Sequence, residues 1–218
     1  MLCQFTVKNF KSIRDEVTFD MQAAAISEHE DRIIIDKDEE KYLPVSAVYG
    51  PNGGGKSNVL AALHTLVAKV LRPLLATEDS EEKVLLQRKI IVEPFAFSKS
   101  KDEPTEFELF FRTTVSEYRY ILHVKRDIVL YESLDRVKLE TGRKSALFTR
   151  DENGIVLKGA FAKLKVSDEL SKTLTLLSYL GIAYKGNAVV KDVLSWFEYG
   201  IEFLNYGNPI QELKMAVS

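Results

Sequence analysis

Residues 50–57 constrain this chain more than any other segment, because they read Gly-Pro-Asn-Gly-Gly-Gly-Lys-Ser. They match the P-loop pattern G-x-x-x-x-G-K-[ST] at every defined position. Glycines let the backbone adopt left-handed conformations and let consecutive N–H groups approach a phosphate closely. The mechanism requires a strand before the loop and a helix after it, so that the positive helix end faces the same anion.

Both flanks of the loop fit that requirement. Residues 43–49 are rich in Val and Ala, which predicts a buried strand. After the loop, apolar residues recur at the spacing of one helix face; they are Val59, Leu60, Leu63, Leu66, Val67 and Val70. Pro73 predicts that this helix ends near Arg72, since proline has no N–H and disfavours helical geometry in the preceding residue. A charged helical segment is expected at 78–89.

The predicted nucleotide site consists of the loop and the first residues of its helix. Lys56 is expected to reach the β and γ phosphates, and the Ser57 hydroxyl to supply one ligand to a bound Mg²⁺. The pattern therefore predicts ATP and Mg²⁺ as cofactors, with Ser57 as the metal ligand. The residues assigned to cofactor binding in this segment are Gly50, Asn52, Gly53, Gly54, Gly55, Lys56, Ser57 and Asn58.

Strand patterns dominate the sequence on either side of this segment. Alternating apolar residues at 2–8 and 17–21 predict an N-terminal hairpin. Further strand-like runs, which predict an antiparallel meander, lie at 90–92, 95–97, 106–113, 118–125 and 128–137. A strand at 146–150 leads into the hairpin turn Asn153-Gly154.

Apolar stripes at 170–180 and 189–203 predict helices near the end of the sequence. The expected fold is therefore α/β, a P-loop NTPase with a parallel core sheet, an antiparallel β meander and a helical C-terminal portion. We interpret the chain as a single lobe. Its P-loop core is expected at 1–75, its meander at 89–151 and its helical portion at 155–218.

Composition limits the classes of protein that remain. Thirty basic residues against 32 acidic residues give a net charge of −2, which does not indicate a dedicated nucleic-acid-binding domain. Five basic residues form either a local patch for nucleic acid or an ordinary solvated surface; they are Arg143, Lys144, Lys158, Lys163 and Lys165. No uninterrupted apolar run or leader pattern indicates a membrane protein, so a cytoplasmic protein is expected.

The sequence predicts no structural metal site. His29, His64 and His123 lie far apart and have no cysteine or paired carboxylate at ligand spacing. Cys3, the single cysteine, is interpreted as a small core residue. Any metal is therefore expected to arrive with the nucleotide.

Two segments together resemble a known group of ATPases. Asn9-Phe10-Lys11-Ser12-Ile13 and residues 49–58 resemble the N-terminal part of SMC/RecF-like and OLD-like ATPases, and more narrowly the bacterial AAA family or abortive-infection-type proteins of that ABC-like group. Weaker matches lie at 107–120, 131–134 and 147–151. The resemblance implies an ABC-ATPase-like N-terminal lobe in which Lys11 faces the nucleotide phosphates. It also implies head-to-tail dimerisation, and DNA or a defence effector as partner.

The same resemblance implies elements that the sequence does not contain. These are a signature segment with paired glycines, an apolar strand ending in Asp-Glu, a switch histidine and an assignable glutamine that senses the γ phosphate. Three partial matches, at 177–181, 128–132 and 90–93, are interpreted as a core helix and two meander strands. No catalytic residue is therefore assigned.

Two functions remain open at this point. The chain is either an ATP-binding lobe whose hydrolysis requires a C-terminal half, or a non-hydrolysing regulatory module that uses nucleotide to set its conformation. The absence of an acid to position magnesium and polarise water favours the second, because phosphoryl transfer depends on such groups. The P-loop itself fits both.

Overall fold

A seven-stranded antiparallel sheet is the largest feature of the computed structural model, which describes residues 1–25, 30–76, 90–97, 102–167 and 169–203. The strands are β1 (Leu2–Lys8), β2 (Val17–Asp20), β3 (Ile34–Ile35), β4 (Lys41–Tyr42), β5 (Thr105–Arg112), β6 (Ser116–Lys125), β7 (Ile128–Lys138), β8 (Lys144–Asp151) and β9 (Gly154–Leu157). The strand order in the large sheet is β2-β1-β5-β6-β7-β8-β9, and β3 pairs with β4 separately.

The alternating apolar pattern produces these strands as predicted. In β5, Phe107, Leu109 and Phe111 are buried on one face, and Leu109 lies opposite the buried Tyr120 of β6. The N-terminal hairpin, the meander strands β5 to β7 and the turn between β8 and β9 are all confirmed. Because β1 also pairs with β5, the hairpin and the meander form one continuous sheet.

Two predicted meander strands, at 90–92 and 95–97, are wrong. Val92 makes an isolated bridge with Arg126, while Ile91 is 65% exposed and Phe97 is 90% exposed. Periodicity alone cannot tell whether a short apolar run is a strand. Here the run makes a single bridge, from Val92 to Arg126, and does not become a strand of the sheet.

Helices cover the inner face of the sheet. They are α1 (Lys56–Leu75), α2 (Leu176–Ala183) and α3 (Ala188–Tyr199). Gly181 lets α2 pack closely against α1 and α3, since a Cβ there would lie 2.6 Å from side-chain carbons of Leu74 and Leu194. By length and composition α1 could cross a membrane, but half of its most apolar stretch is buried inside the fold.

The predicted end of α1 near Arg72 is wrong by less than one turn. Pro73 lies inside the helix, which continues to Leu75, and the Ala76 N–H still donates to the Arg72 carbonyl at 3.0 Å. Proline lacks an N–H and so removes one helical hydrogen bond. In the last turn this loss does not prevent the two remaining residues, up to Leu75, from staying helical. The charged helical segment predicted at 78–89 lies outside the described residues. The C-terminal helices are confirmed, although α2 begins six residues after the start of its predicted stripe.

The predicted buried strand at 43–49, and with it the parallel core sheet, does not appear in the described residues. Val45 is 77% exposed and Tyr49 is 90% exposed, and the segment joins neither sheet. A parallel strand needs a neighbour that is reached by a crossover connection. The described chain after α1 instead returns to the antiparallel sheet, where β5 pairs with β1 and β6.

Candidate nucleotide-binding site

The P-loop bends sharply between the exposed 43–49 segment and α1. Gly53 and Gly55 have φ angles of +80° and +83°, which residues with a Cβ rarely adopt. The Gly54 N–H donates to the Pro51 carbonyl at 3.1 Å, and a Cβ on Gly54 would lie 3.0 Å from that same oxygen. The glycines at these positions therefore permit a bend that other residues would strain.

The beginning of α1 is suited to an anion. Gly55 is the N-cap and provides no side-chain hydrogen bond, and the first turn carries no acidic residue. The first N–H groups of a helix lack partners within the helix and carry partial positive charge. Ser57 is exposed in this turn, so its hydroxyl is accessible beside those N–H groups. The residues present fit a polyphosphate with a bound magnesium.

Lys56 folds back over the loop that precedes it. Its ammonium donates to the Gly50 carbonyl at 2.7 Å and to the Pro51 carbonyl at 2.8 Å. Both acceptors belong to the loop itself, so the charge lies at the loop and can turn toward a ligand there. The predicted contact of Lys56 with phosphate stays a prediction.

A second segment reaches the same site from the N-terminal hairpin. Residues 10–13 form a tight turn in which the Phe10 N–H donates to the Ile13 carbonyl at 2.8 Å and the Ile13 N–H donates back at 2.7 Å. The Asn58 side-chain amide donates to the Ser12 hydroxyl at 2.7 Å. This contact joins residues 46 positions apart and brings Ser12, the neighbour of the exposed Lys11, against the start of α1. The Lys11 ammonium itself lies 5.5 Å from the centroid of the Phe10 ring.

Asn9 anchors this turn and was not assigned a role from the sequence. It is buried, and its side-chain amide donates to the carbonyls of Glu103 and Pro104, both at 3.1 Å. Its side-chain oxygen accepts from the Phe95 N–H at 3.0 Å. The available signal was its place in the Asn-Phe-Lys-Ser-Ile segment, together with the tolerance of asparagine for positive φ.

Comparison with known families agrees with this geometry. A family profile described as "AAA domain, putative AbiEii toxin, Type IV TA system" matches residues 45–190, which is more than half of the chain. The chain belongs to this family. The AAA domain assignment identifies a nucleotide-binding, ATPase-like protein, and the resemblance to abortive-infection-type ATPases is confirmed. A search of curated proteins finds no match.

Within this AAA domain, Glu132 lies away from the P-loop and under α2. Its carboxylate accepts from the Tyr120 hydroxyl and the Leu177 N–H, both at 2.9 Å, and from the Leu176 N–H. Burial raises the pKa of this carboxyl, although these donors and the nearby Arg150 oppose the shift. Glu132 therefore caps α2 from strand β7, which confirms the meander interpretation of 128–132.

The other two partial matches are also accounted for. In α2, Leu177, Ser178, Leu180 and Gly181 are buried, so the core-helix interpretation of 177–181 is confirmed. The 90–93 segment is not a strand, and the Glu93 carbonyl accepts from the Lys11 N–H at 2.9 Å. Glu93 itself is exposed.

Other titratable groups of this AAA domain do not gather at the site. Across the described ranges, no group of three or more His, Cys, Asp and Glu residues could hold a metal ion. His64 lies against Phe203, and His123 lies against Tyr131; burial lowers the pKa of both. His29 is outside the described residues. Cys3 is buried, as predicted, and burial raises the pKa of its thiol to about 11.

The five basic residues considered from the sequence lie elsewhere on the surface. All are exposed, at the beginning of β8 and in the segment after β9, and none forms an ion pair with another described residue; they are Arg143, Lys144, Lys158, Lys163 and Lys165. They do not contribute to the P-loop site.

Proposed function

We propose that this chain is the ATP-binding lobe of an ABC/SMC-like ATPase, and that hydrolysis requires residues from a C-terminal half or a second copy of the chain. ATP binds at Gly50 to Asn58 with Mg²⁺, for which Ser57 supplies a hydroxyl ligand. The magnesium neutralises phosphate charge when it is bound. The observation that carries the proposal is the bent glycine loop with Lys56 folded over it at the uncapped start of α1.

Each group of the loop has a separate task in this proposal. The first-turn N–H groups of α1 and the helix dipole hold the phosphates in place. Lys56 exchanges its two carbonyl acceptors for phosphate oxygens and adds a full positive charge. Lys11, whose neighbour Ser12 contacts Asn58 of α1, turns its ammonium away from the Phe10 ring and adds a second charge at the outer phosphates.

The surface beside the loop supports the requirement for a further partner. Val45, Val48 and Tyr49 are exposed on the segment that enters the loop, and Leu60 is 53% exposed on the first turns of α1. Exposed apolar residues grouped around a site are typical of interaction surfaces. A C-terminal half that adds strands beside residues 43–49 would cover these residues and supply the missing acid.

The alternative is a non-hydrolysing module that uses nucleotide to control a partner. The position of Glu132 favours it, because this buried acid caps α2 and no metal-binding acidic group lies among the described residues. Phosphate release by the chain alone, and again after mixing with the product of a neighbouring gene, separates the two functions. Only the ATPase-lobe proposal expects mixing to restore turnover.

Nucleotide binding is tested by calorimetric titration of Mg²⁺-ATP into the wild type and Lys56→Ala. We expect the variant to lose roughly tenfold or more in affinity, because charge-assisted hydrogen bonds to phosphate are lost. Lys138→Ala removes an exposed lysine at the end of β7, on the opposite end of the sheet from the 10–13 turn, and serves as the matched control. Equal affinity of wild type and Lys56→Ala would contradict the proposal.

DNA or a defence effector is the proposed partner class, with the cytoplasm as the location. The family description names a toxin of a toxin–antitoxin system, which supports a defence role. The exposed basic residues around Arg143 and Lys158, which form no ion pair within the described part of the chain, support an interaction with DNA phosphates. Binding to a fluorescent duplex should then weaken steeply between 50 and 200 mM salt, as estimated for several phosphate contacts. Binding that does not depend on salt would exclude this surface as a DNA site.

A further inference from the structure

We propose that Ser12 and Asn58 form a latch that positions Lys11 at the mouth of the P-loop. The inference rests on the proposed function, because Lys11 acts there on the phosphates of a bound nucleotide. Ser12 does not need to touch the reacting phosphate for this role, so it is a positioning residue that acts through Lys11. Asn58 holds Ser12 in place from the proposed cofactor-binding segment.

The backbone of the turn is the first observation behind this proposal. Lys11 has a φ angle of +49° and Asn9 has a φ angle of +55°, so two residues with side chains adopt left-handed conformations within three positions. Such conformations are unfavourable for residues with a Cβ and persist where the surroundings impose them. The turn is therefore held in place by its contacts, and those contacts can be identified.

One set of contacts ties the turn to the sheet side of the molecule. The buried Asn9 side chain bonds the backbone at Phe95, Glu103 and Pro104, and the Thr105 hydroxyl donates to the Asn9 carbonyl at 2.6 Å. The Lys11 N–H donates to the Glu93 carbonyl at 2.9 Å. These bonds fix the shape of the turn but do not connect it to α1.

The Ser12 side chain provides that connection. Its hydroxyl accepts from the Asn58 amide at 2.7 Å, and it lies against Gly55, where a Cβ would be 3.0 Å from the same oxygen. Gly55 is the N-cap of α1 and Asn58 lies in its first turn. The latch therefore fixes Lys11 relative to the same N–H groups that are proposed to hold the phosphates.

The consequence for Lys11 is a loss of freedom before a ligand binds. The contacts that fix the backbone of Lys11 remove backbone freedom before ATP binds, so that binding has to order only the side chain. Without the latch the turn loses one of its contacts, so both its hydrogen bond to Glu93 and its distance from the P-loop are less firmly fixed. Ser12 and Lys11 should therefore act on ATP affinity as one unit.

A double-mutant cycle tests this coupling by calorimetry with Mg²⁺-ATP. We expect Ser12→Ala and Lys11→Ala each to weaken binding about threefold to tenfold, the range of one hydrogen bond, and the double variant to be no weaker than Lys11→Ala. Ser12→Thr keeps the hydroxyl and should keep most of the affinity. Ser145→Ala, a substitution on β8 far from the loop, is the matched control.

Hydrogen–deuterium exchange of the protein without nucleotide tests the contact itself. Asn58→Ala should accelerate exchange at the Lys11 and Ile13 amides, which are bonded within or beside the turn. Unchanged exchange at these amides, or fully additive affinity losses in the cycle, would overturn the latch. A wild type that does not bind ATP would overturn the proposed function and the role of Lys11, and the exchange measurement would still decide whether the latch exists.

Discussion

Two lysines on α1 use the same chemistry for different purposes. Lys56, at the first residue of the helix, donates to the Gly50 and Pro51 carbonyls five and six residues away in sequence. Lys69 is buried, and its ammonium donates to the carbonyls of Asp127 and Thr173, which are 58 and 104 residues away. The first lysine closes a local loop, whereas the second joins three distant segments.

The surroundings of the two helix ends differ in the same way. Near the P-loop, Tyr49 and Leu60 are exposed, while toward the other end Val70 and Leu71 are buried under α2 and α3. Ser178 of α2 donates to the Val70 carbonyl at 2.7 Å, a hydrogen bond in the protein interior. The comparison teaches that one helix carries the proposed binding end and a stabilising end, and that substitutions should separate the two.

The largest effect on the stabilising end is expected from Glu132→Ala. The substitution leaves the Leu176 and Leu177 N–H groups and the Tyr120 hydroxyl without their acceptor, next to the positive charge of Arg150. Loss of one member of a buried charged network costs about 3–5 kcal/mol, which urea denaturation can measure. A cost below 1 kcal/mol would contradict the capping role.

Replacing Lys69 or Lys56 with methionine, one at a time, tests most directly whether the two ends of α1 have separate roles. Lys69→Met should reduce the free energy of unfolding by about 2 kcal/mol, because two partly buried carbonyls lose a charged donor, and should leave ATP affinity of the folded protein unchanged. Lys56→Met should do the opposite, changing stability by less than about 0.5 kcal/mol while reducing ATP affinity. The same pattern of effects from both variants would show that the two ends are not separate.

Gly181→Ala tests how closely α2 packs against the stabilising end of α1. A methyl group there meets Leu74 and Leu194, and overpacking of this kind costs about 1–3 kcal/mol, partly offset by the better helix propensity of alanine. Gly186→Ala is the matched control, since the space around that glycine is open. Chemical denaturation of both variants should show a loss for the first and no significant loss for the second.

The smallest expected effect is a change in the pH dependence of stability. Burial raises the pKa of Glu132 above its ordinary value of 4.5, so the folded state binds more protons than the unfolded state just above that pH. Its contribution to stability is present below pH 4.5 and is lost as pH rises through the raised pKa. Glu132→Gln should flatten this fall, as measured by urea denaturation at several pH values. Parallel curves for wild type and Glu132→Gln would contradict the assignment.

Local patterns predicted much of this fold. The alternation in β5, β6 and β7 and the helical spacing after Lys56 depend on neighbours along the chain, so the sequence was sufficient. The prediction of a strand at 43–49 was wrong because a strand also needs a pairing partner, which its own residues do not specify. The predicted strands at 90–92 and 95–97 were wrong because apolar residues alone do not determine whether a segment joins a sheet.

The candidate site shows the same division between local and distant information. The P-loop residues form one continuous segment, and the motif placed Lys56 and Ser57 at the start of α1 correctly. The Ser12–Asn58 contact joins positions 46 residues apart, so it depends on how β1 and α1 pack together. The buried Glu132 was interpreted as part of a strand, but its cap on α2 required the tertiary structure.

The resting bonds of Lys56 have a consequence for which anions the loop can select. An ammonium already held by two carbonyl oxygens gains little from a weak anion, because each new bond replaces an existing one. A ligand with several closely spaced negative charges offers more than the carbonyls do, and it also engages the helix end. We therefore expect the loop to discriminate against monovalent anions, because two carbonyl oxygens already accept from the Lys56 ammonium before a ligand arrives.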